Sequence, residues 1–294
     1  MRISADTLYE PSGHIADHWS KFVSGSRHIK AAATASIQLI QQSTYVKQAV
    51  TIEENLAPGL YLTFTHDEET YTAHNIVSAQ VTPVYEAATV DWSVTQKQSF
   101  HWSQIYLTWE LLAQITGEQL ENVMHFFKQR VAMETGGAFN LTVSSDLVED
   151  LSAVFSQQGS NLAFTGKLYS TLFQVIEHIQ VTNHLSQCEN CQKKLFSGQN
   201  LLEANFKLTA KTLARNVGLT RTALEIGFPI ITGMTLTEYQ IEAAIRKAMS
   251  KQSSDNSLDL AKLITAETGL AQADVEKACV KRFGVMSHQL GSMQ

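Results

Sequence analysis

The chain has 294 residues, of which 44% are hydrophobic and 17% charged, and a net charge of −6. That is enough for two domains with apolar cores, and 4 Pro and 15 Gly exclude a collagenous or low-complexity polypeptide. No apolar run reaches the ~18 residues that cross a bilayer, so no membrane partner is expected. Three cysteines, an odd number, argue against a disulfide scaffold and for a reducing compartment. Near the start, His14, Asp17, His18, Lys21, Arg27 and Lys30 leave no secretory h-region, so the expected location is cytoplasmic.

In chain order, residues 30–112 read as β. After the Ala57-Pro58-Gly59 turn signal, Leu60, Leu62 and Phe64 alternate with Tyr61, Thr63 and Thr65. Val90, Trp92 and Val94 repeat the period of two, as do Ile105, Leu107 and Trp109. Such strands suggest an antiparallel barrel or sandwich, which either holds a ligand or is filled by side chains. Near Thr116 the spacing becomes helical, with Leu120, Val123, Met124 and Phe127 on one face and Gly136-Gly137 as the stop. A second helix is expected over Asp146–Gln157. A third carries Leu168, Leu172, Val175, Ile176 and Ile179 as one stripe, which either packs on its own domain or forms a homodimer seam. Ser186–Asn200 is polar and reads as a connection.

From Leu208 the chain reads as two short helix-turn-helix units joined by a longer helix. Thr209 caps a helix through Val217, Gly218 suits the left-handed turn, and Thr220 caps a second helix with Leu224 and Phe228 inward. The small Ala214 permits close helix approach. Thr237-Glu238-Tyr239-Gln240 has the form of a capping box for the joining helix, which runs to about Lys251. A loop at Ser253–Ser257 follows, then Leu260, Leu263, Ile264, Gly269, Val275, Cys279 and Phe283-Gly284. Residues 207–294 hold eleven Lys/Arg against eight Asp/Glu in an otherwise acidic chain, a balance compatible with nucleic-acid binding but equally with a solvated surface.

The string Leu213-Ala214, Gly218-Leu219-Thr220, Leu224, Phe228, Gly233-Met234, Tyr239 resembles the first half of the AraC-type DNA-binding domain. Ile264, Gly269-Leu270, Val275, Cys279 and Lys281-Arg282-Phe283-Gly284 resemble its second half. Leu224 with Gly227-Phe228, preceded by helices at 146–182, is similar to the pyochelin-regulator branch, whose members sense an iron–siderophore complex. The resemblance implies an α+β chain. Its sensor and dimerisation domain covers 1–185 and is β-rich to about 112. A connection over 186–206 leads to an all-α double helix-turn-helix domain over 207–294. It further implies double-stranded DNA, a small effector such as a ferric siderophore, RNA polymerase for an activator, and a homodimer as partners.

Carried over, the first reading helix runs from Thr220 to about Ile231. Arg221, Thr222, Glu225 and Ile226 face the bases, and Lys211 and Arg215 hold phosphates. The second, Ala271 to Lys281, presents Gln272, Asp274, Glu276, Lys277 and Lys281. Here the chain departs from the family: carboxylates face phosphates, Val275 and Cys279 stand for Phe, Ala244 for Arg, and Ser287 for Pro. A degenerate AraC-like module that binds protein, or senses metal or redox state through Cys188 and Cys191, and does not read DNA directly is the alternative.

His184-x3-Cys188-x2-Cys191 beside Lys193 and Lys194 can hold a metal or form a reversible disulfide at the hinge before the DNA-binding part, with His178 or Cys279 closing a four-ligand site. The bland reading is two incidental cysteines. His14, His18, His28, His66, His74 and His101 lack ligand spacing. Trp19, Trp92, Trp102 and Trp109 read as core, though a siderophore pocket would draw on them. No Gly-rich phosphate loop, Gly-x-Ser-x-Gly or His-Glu-x-x-His occurs, and no catalysis is expected.

Overall fold

The computed structural model describes residues 1–31, 36–66, 76–132, 137–156, 162–251 and 260–283. It divides into two compact units, Met1–Ile179 and Gln180–Gln294. His74, Gly136, the Ser253–Ser257 loop, Gly284 and Ser287 lie outside the described residues.

The first unit is sheet-rich. It contains β1 (Arg2–Ser4), α1 (Ala5–Leu8), β2 (Val23–Ala31), β3 (Ile37–Val46), β4 (Val50–Leu56), β5 (Gly59–His66), β6 (Ile76–Val84), β7 (Ala88–Val94) and β8 (Gln98–Leu107). Next come α2 (Trp109–Thr116), α3 (Leu120–Ala132), β9 (Phe139–Asn140), α4 (Ser145–Ser156) and α5 (Leu162–Gln187), within which the division falls. The strands form a six-stranded antiparallel sheet, ordered β2-β3-β8-β5-β6-β9, and a three-stranded sheet, β1-β4-β7, with β1 parallel to β4. The β region thus begins earlier than residue 30. Trp109, expected as the end of a strand, instead opens α2, because Thr108 accepts the Leu111 N–H and caps a helix there.

The period of two decides what each face of the large sheet does. Leu62 lies opposite both Val81 and Ile105 in register. These three, with Leu60 and Phe64, are buried against Leu112, Phe127, Leu151, Phe164 and Leu168 from α2–α5. Each such side chain contributes about 1.5–3 kcal/mol by leaving water, so this face is the core of the unit. The 168–179 stripe belongs to it: Leu168, Leu172 and Val175 have no exposed surface and Ile179 has 2%. A dimer seam along that stripe is therefore ruled out, because its own sheet and helices already cover it.

The second unit is helical: the end of α5, then α6 (Glu189–Ala204), α7 (Ala210–Val217), α8 (Arg221–Thr232), α9 (Leu236–Lys251), α10 (Leu260–Thr268) and α11 (Gln272–Phe283). Most of the stretch read as a polar connection, 186–206, is helix α6. Leu195 and Leu202 of that helix are buried in one core with Leu213, Val217, Leu224 and Phe228. Widely spaced apolar residues among polar ones mark a helix with a narrow buried stripe, which composition alone reads as a loop. The capping box of α9 is Thr235 with Glu238, two residues before the expected one. The Thr235 N–H donates to Glu238 Oε2 (2.9 Å) and the Glu238 N–H to Thr235 Oγ1 (3.2 Å). No helix among the described residues is long and apolar enough to cross a membrane.

Candidate functional site

The polar face of the large sheet, together with β4 and β7 of the small sheet, lines a partly open cavity of about 470 Å³. Thr63, Thr65, Gln80, Thr82 and Gln104 supply hydroxyls and amides, and Trp92, Phe100 and Trp102 supply aromatic surface. The alternation that buries Leu62 and Phe64 on one side places Tyr61, Thr63 and Thr65 in the cavity wall on the other.

An ion pair stands in that wall. Arg27 Nη2 donates to Glu54 Oε1 (2.6 Å), with side chains only 13% and 15% exposed. The guanidinium lies 5.8 Å from the Tyr9 ring centre and 5.9 Å from that of Trp102. Its buried Nε has no hydrogen-bond partner among the described residues. Burial pushes the Tyr9 hydroxyl up to about 12, against the opposing effect of its contact with Thr44. Tyr61 is likewise raised to about 12 by burial, with Tyr106 adding to it. Both phenols are therefore neutral donors at physiological pH. The wall offers amides, hydroxyls, phenols, aromatic faces and one neutralised cation, a set suited to a small polar-aromatic molecule.

The second constellation is α7–turn–α8. Thr209 Oγ1 accepts from Thr212 N (3.3 Å) and caps α7, and Thr220 Oγ1 accepts from Ala223 N (3.0 Å) and caps α8. Between them Gly218 sits at φ +67°, a left-handed conformation that a side chain would strain, and its N–H closes the end of α7 on Ala214 and Arg215. Leu213, Ala214, Val217, Leu224 and Phe228 face inward. Lys211 and Arg215 are exposed on α7, Arg221 is exposed at the start of α8, and Thr222 is half-buried.

Two expectations change here, while Thr220 caps α8 as expected. Ile226, expected outward, has no exposed surface. Arg221 and Glu225 meet each other, Nε to Oε1 at 2.7 Å, instead of pointing separately outward. Beyond α9, α10 and α11 repeat the pattern around Gly269 at φ +73°, with Ile264, Val275 and Cys279 buried. Gln272 is exposed at the start of α11, while the side chains of Lys277 and Lys281 lie outside the described residues.

At the α5–α6 corner Cys188 and Cys191 are joined by a disulfide, and His184 Nε2 lies 3.4 Å from Cys191 Sγ. These three residues belong to the second unit, not to a stretch between the two units. Neither residue expected to complete a four-ligand set does so. His178 is buried and bonded to Ser144 Oγ (2.9 Å) and the Gln174 carbonyl (2.7 Å). Cys279 is buried in the helical core, where burial, with Glu276 beside it, pushes its thiol up to about 11.

No family model matches the chain, and no curated protein matches it. Among solved structures, apo ToxT from Vibrio cholerae strain SCE256 (a point variant) is 9% identical, with a TM-score of 0.34, covering 90% of this chain and 99% of that one. Wild-type ToxT of the same strain, bound to an unsaturated fatty acid, is 10% identical with a TM-score of 0.33, covering 90% and 98%. Likeness at this level carries no argument.

Arg27, Glu54, Tyr9 and the cavity glutamines were missed in the sequence. The available signal was the polar half of each period-two strand, which reads as solvent-facing until a second sheet is known to cover it. Also missed was the α6–α9 tie, in which Gln199 Nε2 donates to Tyr239 Oη (2.7 Å) and Tyr239 Oη donates to Glu203.

Proposed function

We propose that this chain is a sequence-specific DNA-binding transcription regulator of the AraC type, controlled by a small effector in the cavity of its N-terminal unit. The observation that carries the reading is the α7–Gly218–α8 unit. It has two threonine caps, a left-handed glycine turn, a closed apolar core and an exposed basic edge formed by Lys211, Arg215 and Arg221. In that reading α8 enters the major groove from its N-terminal turn, and Lys211 and Arg215 on α7 hold the backbone. The Arg221–Glu225 pair does not oppose this. An exposed i,i+4 pair is worth about 0.3–0.5 kcal/mol, whereas a bidentate arginine–guanine contact discriminates by about 1–3 kcal/mol. DNA therefore displaces Glu225.

The cavity volume of about 470 Å³ falls within the range of small-molecule sites. Effector binding there shifts the population of DNA-competent states. A ferric siderophore remains the effector implied by the pyochelin-regulator resemblance, and Trp92, Phe100 and Trp102 would stack on its rings. A regulator of this kind acts in the cytoplasm, alone or as a dimer, with RNA polymerase as partner where it activates. The domains follow as a sensor before α6 and a DNA-reading part from α7.

The test is selection of bound fragments from sheared genomic DNA at moderate salt, repeated at higher salt and with Arg221→Ala. Enrichment of a few sites that weakens about tenfold in the variant supports the reading. The acidic Asp274 and Glu276 of α11 favour a second reading, a protein-binding module. Uniform, weak, Arg221-independent binding would overturn the DNA reading and put that alternative first.

A further inference from the structure

Helix α5 ends at Gln187 and α6 begins at Glu189, so the chain turns at Cys188. His184 stands four residues before that corner and Cys191 three after it, one helical turn on either side, and their ligand atoms converge. The imidazole and both sulfurs lie within 4.8 Å of one another. Cys188 caps α6, its Sγ accepting the Cys191 N–H at 3.2 Å, so the corner places a sulfur at a helix N-terminus, where an anion is favoured.

Tetrahedral bonds of about 2.0–2.3 Å to zinc set ligand atoms about 3.3–3.8 Å apart. The 3.4 Å between His184 Nε2 and Cys191 Sγ already meets that spacing. Two sulfurs and one imidazole form the soft donor set that selects zinc over calcium or magnesium.

We propose that, once the disulfide is reduced, His184, Cys188 and Cys191 bind one zinc ion, with a fourth position left to water or an external ligand. On binding, the two thiols release two protons and each sulfur forms one bond to the metal. The disulfide form excludes it. When a low-molecular-weight disulfide oxidises the pair, two electrons pass from the protein sulfurs to the oxidant, which leaves as two thiolates, and the zinc ion is released as the Cys188–Cys191 bond forms.

The corner is flanked by side chains that seat the reading helix. Leu185 and Leu195 are buried on either side of it, and both lie against Gly227 of α8, where an added Cβ would sit 3.1 Å and 2.6 Å from their Cδ1 atoms. Lys194 Nζ donates to the Gly218 carbonyl in the α7–α8 turn (3.0 Å). The leucines that flank the corner are thus the same two that pack beneath α8.

The test is a zinc titration of the full chain, reduced and stripped of metal, against a chromogenic zinc chelator. One equivalent withheld from the chelator is expected, with affinity at least ~100-fold lower in Cys188→Ser and Cys191→Ser and at least ~10-fold lower in His184→Ala. Treatment with glutathione disulfide abolishes uptake. As a readout that needs no variant, zinc slows iodoacetamide alkylation of Cys188 and Cys191 about tenfold, with Cys279 unreactive throughout. Zinc taken up no more tightly by the reduced protein than by the Cys188→Ser/Cys191→Ser variant overturns the proposal, as does alkylation that zinc leaves unchanged.

Discussion

The Arg27–Glu54 pair can be tested by removing one partner and then both. In Glu54→Ala the guanidinium stays in the cavity wall, 13% exposed, with its counter-charge gone. Breaking a buried pair from one side costs about 3–5 kcal/mol, because the surviving charge is desolvated and uncompensated. The pair borders a polar cavity of about 470 Å³, large enough to admit water, so the low end, about 3 kcal/mol, is expected. For a unit of this size 1 kcal/mol moves the midpoint by about 2–4 °C, so Glu54→Ala lowers Tm by roughly 6–12 °C. In Arg27→Met/Glu54→Ala neither charge remains and most of the loss is recovered, to within about 1 kcal/mol of the unmodified chain. All four tryptophans lie at or before Trp109, so tryptophan fluorescence on heating or in urea follows the first unit alone. A single variant that loses less than about 1 kcal/mol, or losses that simply add in the double variant, would refute the reasoning.

The two helical glycines of the second core should respond in opposite directions. A Cβ on Gly198 meets its nearest neighbour at an ordinary 3.6 Å, so Gly198→Ala gains helix propensity and stabilises by up to about 1 kcal/mol. On Gly227 it would lie 2.6 Å from Leu195, so Gly227→Ala overpacks and destabilises by about 1–3 kcal/mol; urea unfolding followed by circular dichroism measures both. Burial, with His101 as the second cause, holds buried His66 below its ordinary value of 6.5. As pH falls below that value the unfolded chain takes up a proton that the folded chain resists, so stability declines from pH 7 to 5. His66→Gln should flatten that decline, and an unchanged slope in pH-dependent unfolding would count against it. Lys211→Ala and Arg215→Ala should each reduce the salt slope of DNA binding by about 1 without changing site preference; an unchanged slope removes α7 from the phosphates.

What was legible in the sequence were the features held by local chemistry. Thr209, Gly218 and Thr220 fix the ends of α7 and α8 through their own backbones, so their places could be read residue by residue. Leu60, Leu62 and Phe64 declared a core face by alternation alone. The rest depended on partners far away in the chain. Arg27 meets Glu54 across 27 positions, and Tyr239 meets Gln199 across 40; no short window contains either pair. Composition misled at α6, where Lys, Gln, Asn and Ser dominate although Leu195 and Leu202 are fully buried. Charge misled at Arg221 and Glu225, because i,i+4 spacing on a helix lets opposite charges find each other before any ligand does.

The α7–α8 and α10–α11 pairs are alike in backbone and unlike in chemistry, and that contrast bears on how the proposed DNA-binding part would work. α8 and α11 each follow a left-handed glycine, Gly218 at φ +67° and Gly269 at φ +73°, and each buries apolar residues inward: Leu224 and Phe228 in α8, Val275 and Cys279 in α11. The exposed starts differ. α8 offers Arg221 and Thr222 with Lys211 and Arg215 behind them on α7, whereas α11 offers Gln272 and then carries Asp274 and Glu276. Phosphate neutralisation supplies most of the affinity for a duplex, so a helix whose sequence is acidic would add little to binding strength. A glutamine at its tip can still choose between bases, since it pairs with adenine through two hydrogen bonds. If the chain reads DNA as proposed, the sequences of the two pairs imply a division of labour: α7–α8 would anchor and read, and α10–α11 would discriminate without holding.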